Sequence, residues 1–178
     1  MSASSTASAS PPPIDVIDQT AGLAPGDALY ALRRQREKIV AATQASYDAM
    51  FAPDVADLPV TERLLVALHA CRVSQATALA SHYRARLQSV GVKADDLAAA
   101  DDTAEDAPTS ARLRALLTFT GKLVRRPIEG DRHAIEALQA AGLTTPAIVT
   151  LGQLVAFLTY QIRVLAGLNA LAAAGDPA

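Results

Sequence analysis

The sequence predicts an all-α protein, a multi-helical bundle of about seven helices. Three observations lead there. Hydrophobic residues make up 51% of the 178, yet aromatics make up 4%, Trp is absent, and alanine fills roughly a fifth of the chain. Small side chains of that kind suit closely packed helices, whereas a β-sandwich draws on β-branched and aromatic residues. Apolar residues recur at helical spacing in one stretch after another, and no segment sustains period-two alternation. Caps and breakers fall between those stretches, where helices would start and stop.

Residues 1–13 are rich in Ser, Ala, Thr and Pro, with no basic cluster and no apolar run, since the first Arg is Arg33. They read as a disordered tail and not as a signal peptide, with one domain over 14–174. Ile14 to Ile17 reads as a short turn or docking segment. Gly22 to Gly26 is a loop, and Asp27 is a candidate N-cap for a helix over 28–51. Its apolar positions are Leu29, Leu32, Ile39, Ala42 and Ala49; the basic run Arg33 to Lys38 among them marks a break or a solvated face. After a Pro-bounded loop, with Pro59 suited to a first helical turn, a helix spans 60–73. There Leu64, Leu68 and Cys71 share one stripe and Glu62, Val66, His69 and Val73 another. Ser74 and Gln75 turn the chain into a helix over 76–90 with the stripe Ala76, Leu79, Tyr83, Leu87, Val90, closed by Gly91. A short helix over 94–100 leads to an acidic linker over 101–108. The helix over 110–124 turns Leu113, Leu116 and Leu117 inward and Arg112 and Arg114 outward. Asp131 caps a helix that ends at Gly142, and Thr145-Pro146 opens a long final helix to about Ala173.

Charge and cysteine content narrow the function. Net charge is -2, which excludes a dedicated nucleic-acid binder held by phosphate neutralisation. A single Cys excludes an intramolecular disulfide, a CxxC redox pair and a Cys-based zinc site. Residues 142–162 carry no charge, but Thr, Pro, Gly and Gln interrupt them. A core or interface helix accounts for them better than a membrane span. The expected setting is cytoplasmic, with no membrane and no nucleic acid. The basic runs Arg33 to Arg36 and Lys122 to Arg126 are candidates for holding an anion or a phosphate-bearing cofactor, with solvated faces or inter-subunit ion pairs the commoner explanation. No phosphate loop, nucleophile elbow or nucleotide fingerprint occurs, and no cofactor is expected.

Three stretches carry a family resemblance: 61–69 (TERLLVALH), 78–87 (ALASHYRARL) with Gly91 soon after, and the succession 111–119, 135–142 and 147–163. In order and spacing they resemble the alkylhydroperoxidase D-like superfamily, which contains the carboxymuconolactone decarboxylase (CMD) domain. Residues 46–53 (SYDAMFAP) resemble an uncharacterised branch of it. The resemblance covers most of 27–172. It implies the alkylhydroperoxidase D-like fold, a homo-oligomer, and a peroxidase-related, antioxidant-type function.

The motif of that family is E-x11-C-x2-C-x3-H, in which a lowered thiol pKa makes the nucleophile and the second Cys resolves it. Here His82 takes the His position. Counting back puts Gln75 and Ala78 at the two Cys positions and Arg63 at the Glu position, with Glu62 one residue further. A one-residue insertion near Ser74 would bring Glu62 into register. The dithiol CxxC is therefore absent.

The remaining candidates are Glu62 and His82 as an acid–base pair, with His69 and Cys71 given less weight. Cys71 near a helix C-terminus and on an apolar stripe reads first as a small hydrophobe. Glu62 suits a first helical turn through the dipole alone, and His82 reads equally as a hydrogen-bonded structural residue. Glu62, His69 and His82 can cluster between two helices, but their spacing matches no metal motif, and no metal is expected. His133 reads as solvated. Two readings stand beside the peroxidase-related one. One is an acid–base enzyme using Glu62 and His82 on a small carbonyl or lactone ligand. The other is a catalytically silent scaffold or binding subunit.

Overall fold

The computed structural model describes residues 15–55, 57–101 and 108–175. The tail expected over 1–13 and most of the acidic linker lie outside the described residues. Those described are all-α, with nine α-helices and one 3₁₀ turn and no strand.

Two helices more than expected appear in the first quarter. The segment read as a turn is a helix, α1 (Val16–Ala21), capped by Asp15, which accepts from the Asp18 N–H at 2.8 Å, and closed by Gly22 at φ 68°. The single helix expected over 28–51 is two, α2 (Ala28–Arg34) and α3 (Glu37–Met50), parted at Gln35 and Arg36. Asp27 stands at the N-cap of α2, but its carboxylate accepts instead from the Ala24 N–H at 2.7 Å. Arg33 and Arg34 are not solvated. They reach the buried carboxylates of Asp15 and Asp18, with Arg34 to Asp18 at 2.5 Å and Arg33 to Asp15 at 3.1 Å, and tie α2 to α1. The break rephases the chain. The inward face of α3 is therefore Thr43 and Tyr47, while Ile39 stays 54% exposed.

α4 (Val60–Val73) is the central element. The sequence divides it into two stripes, yet Arg63 to Cys71 are nine consecutive buried residues. α5 (Thr77–Ser89), α6 (Ala94–Ala100), α7 (Ala111–Arg125) and α9 (Thr145–Ala174) cover it from different sides. Gln75 at φ 57° and the Ala76 N–H to Cys71 carbonyl bond of 2.8 Å turn α4 into α5, a helix-closing arrangement.

Asp131 caps α8 (Arg132–Ala140) through the Ala134 N–H at 3.0 Å, as the sequence predicts, and Ser110 caps α7 through the Leu113 N–H at 3.0 Å; the cap of α9 is Thr144 and not Thr145, which is already the first helical residue. The 3₁₀ turn Pro127–Glu129 links α7 to α8. Among the described residues α9 is the one helix long and apolar enough to cross a membrane. In this fold its stripe of Ala147, Leu151, Leu154, Leu158 and Leu165 is buried in the hydrophobic cluster shared with α4 and α7.

Candidate functional site

Two helical pairs interlock where α3 meets α5. Tyr47 and Phe51 stand four residues apart at the end of α3, and His82 and Arg86 four apart on α5, so each pair shares a helix face. The Tyr47 and His82 rings are 5.8 Å apart, Tyr47 and Phe51 5.1 Å, and His82 lies edge-on to Tyr83 at 5.2 Å. The Arg86 guanidinium lies over Phe51 at 4.9 Å and Tyr47 at 5.4 Å.

The hydrogen bonds set direction. Arg86 Nη1 donates to Tyr47 Oη at 2.6 Å, and Tyr47 Oη lies 2.6 Å from His82 Nε2. The arginine can only donate, so Tyr47 Oη accepts from it, and the proton of the Tyr47–His82 contact lies on the oxygen or on Nε2 according to the ring tautomer. Burial and then the Arg86 cation hold the His82 pKa below 6.5. Burial lifts Tyr47 above 10, against the pull of Arg86. Both groups are neutral at pH 7.

A pH prediction follows from His82. Because its folded pKa is lowered, the unfolded chain binds the proton more readily. Its contribution to stability is complete above about pH 6.5 and falls as the pH drops below that. An NMR titration of the His82 ring should give a midpoint under 6.5, and Arg86→Gln should raise it. A midpoint at or above 6.5 would contradict the geometry.

Beneath this group the core is polar in one place. Tyr83 is fully buried and donates to Gln161 Oε1 on α9 at 2.6 Å, while Gln161 Nε2 has no hydrogen-bond partner among the described residues. Cys71 neighbours Tyr83. It is fully buried, and burial pushes its thiol up to about 12.

The other expected site residues take separate partners. Glu62 is held by Arg112 in a two-pronged pair, Nε to Oε1 at 2.8 Å and Nη2 to Oε2 at 3.0 Å. Arg112, expected to face outward, also donates to the Gly142 and Asp57 carbonyls at 3.0 and 2.7 Å, so it straps α4 and α7 to two loops. His69 Nδ1 lies 3.3 Å from the Ala100 carbonyl at the end of α6. Arg63, at the Glu position of the motif, is fully buried. It donates to the carbonyls of Leu58 at 2.8 Å, Ala52 at 2.6 Å and Met50. His133 is on the surface beside Glu136 at 3.6 Å.

Thus the structure brings together His82, Tyr47 and Arg86, of which sequence reasoning singled out only His82. The signal available was the i, i+4 pairing on each helix. Among the described residues no three His, Cys, Asp or Glu side chains gather as a metal-binding group. Glu62→Gln is expected to lower stability by about 1 kcal/mol, since the pair is partly exposed, while leaving the His82 titration unmoved. Urea unfolding and the same NMR titration check both halves.

No protein-family model matches this chain, and no curated protein matches it. Among solved structures, it is similar to an uncharacterized peroxidase-related protein from Silicibacter sp. TM1040. The two superpose with a TM-score of 0.63 at 20% identity, over 72% of this chain and 66% of that one. The likeness is one of fold, and it gives the all-α bundle a peroxidase-related counterpart.

Proposed function

We propose that this chain is a peroxidase-related member of the alkylhydroperoxidase D-like, CMD-containing superfamily that works without thiols. In this reading the Tyr47–His82–Arg86 group performs acid–base chemistry on a small carbonyl or lactone compound. One observation carries it: two 2.6 Å contacts link Arg86, Tyr47 and His82 in series. In the tautomer with its hydrogen on Nε2, His82 takes a proton from the carbon beside the substrate carbonyl onto Nδ1, leaving an enolate. The imidazolium so formed returns that proton, or a solvent deuteron, to the same carbon, while Tyr47 and Arg86 hold the ring in place. His82 is the catalytic residue; Tyr47 and Arg86 position and polarise it. Glu62 serves as a strut through Arg112. The thiol route is disfavoured because a buried thiol with a pKa of about 12 forms almost no thiolate at neutral pH.

The same reading takes the chain to be a cytoplasmic homo-oligomer. Supporting the oligomer are Val149 and Leu171, 55% and 44% exposed near opposite ends of α9.

The test is turnover and solvent-deuterium exchange, followed by proton NMR, on a panel of small ketones and lactones. His82→Ala is expected to abolish the reaction and Tyr47→Phe to slow it about 10²-fold or more. Full activity in His82→Ala would overturn the reading.

A further inference from the structure

Three exposed apolar side chains meet in one groove. Leu32 on α2, Ile39 on α3 and Tyr160 on α9 are 38%, 54% and 41% exposed. With Val164 they line a concavity of about 410 Å³ between the three helices. Its polar groups are two hydroxyls, two guanidinium groups and the Gln35 amide. The Thr43 hydroxyl donates to the Ile39 carbonyl at 2.8 Å, so in its 3.1 Å contact with Tyr160 the tyrosine is the donor. Both hydroxyl hydrogens are therefore engaged, and that part of the groove offers a ligand hydrocarbon and a ring face. The guanidinium groups differ from each other. Arg33 is held by Asp15 and Asp18. Arg36 is exposed and makes no ion pair among the described residues. Glu37 and Lys38 flank it in the adjoining hollow with opposite charges. The groove thus joins an apolar trough to one uncommitted cation.

We propose that this groove binds a single-chain amphiphilic carboxylate, with its alkyl tail along Leu32, Ile39, Tyr160 and Val164 and its head on Arg36. The volume falls in the range of small-ligand sites. An amphipathic peptide helix would need a longer trough, with pockets for anchors at i, i+3, i+4 and i+7.

The full chain is titrated with sodium hexanoate, octanoate and decanoate, each below its micellar concentration, while methyl NMR signals are followed. Expected are shifts at Leu32, Ile39 and Val164 and affinity rising about fourfold per added CH₂. Arg36→Gln should weaken decanoate about tenfold and leave the binding of neutral decanol unchanged. Ile39→Gln, at an exposed position and with unaltered melting, should weaken both at least tenfold. Three results would overturn the proposal: shifts confined to other residues, an Ile39→Gln variant that binds as wild type, or decanoate affinity indifferent to Arg36. So would sedimentation showing that decanoate acts only by splitting an oligomer, which would assign the groove to a second copy of the chain.

Discussion

Replacing Arg63 with Met is expected to lower the unfolding free energy by about 3–5 kcal/mol. The side chain is fully buried and answers three carbonyls at once, those of Met50, Ala52 and Leu58. Met50 is the last residue of α3, so the cation also sits at the negative end of that helix. Burial lowers the Arg63 pKa, and Asp54 opposes the fall, yet an arginine remains charged under any folding condition. Methionine fills similar space but leaves three acceptors without a donor. A domain stable by roughly 5–15 kcal/mol feels such a loss severely. Arg63→Lys keeps the charge but cannot fork to three oxygens, and should recover only part of it. Urea unfolding followed by far-UV circular dichroism measures both variants. A loss below about 1 kcal/mol for Met would show that water replaces the guanidinium.

The second large effect is chemical. With its thiol at a pKa of about 12, native Cys71 holds roughly one thiolate in ten thousand molecules at pH 8. Iodoacetamide should therefore label it at least about 10³ times more slowly in the native protein than in denaturant, where the thiol returns to its ordinary range. Hydroperoxide consumption driven by a small thiol should be absent, and Cys71→Ser should not alter that. Labelling of the native protein within minutes at pH 8 would overturn the burial argument and restore a one-cysteine route.

What the sequence made legible was decided within single helices. The stripe Leu64, Leu68, Cys71 is buried, as its spacing predicts, and Asp131 caps its helix. The failures needed a second element. A hydropathy pattern cannot show that α4 is enclosed on several sides: it separates the stripe of Glu62, Val66, His69 and Val73 from that of Leu64, Leu68 and Cys71, yet His69 is only 8% exposed. Arg33 and Arg34 read as a surface run because the carboxylates they meet stand 15 to 19 positions earlier, in a segment read as a turn. The site suffered most. Tyr47 and His82 are 35 residues apart and Glu62 and Arg112 are 50 apart, and no local periodicity encodes either contact. His82 was found through a motif position. Its partners Tyr47 and Arg86 lie inside the stretches 46–53 and 78–87 that carry the resemblance, yet nothing local in either ties them to His82.

The burial of nine successive residues in α4 also sets a clock. Backbone amides in such a helix have no route to solvent short of opening the whole molecule, so their exchange with deuterium should report the global unfolding free energy. α3 is a peripheral helix with Ile39 largely exposed, and its amides should exchange through smaller, more frequent openings. The hydroxyl of Tyr47 rides on that looser helix while His82 rides on the one joined to the core. Their hydrogen bond is then a seam between a slow and a fast part of the protein, one that parts and reforms many times for each global unfolding.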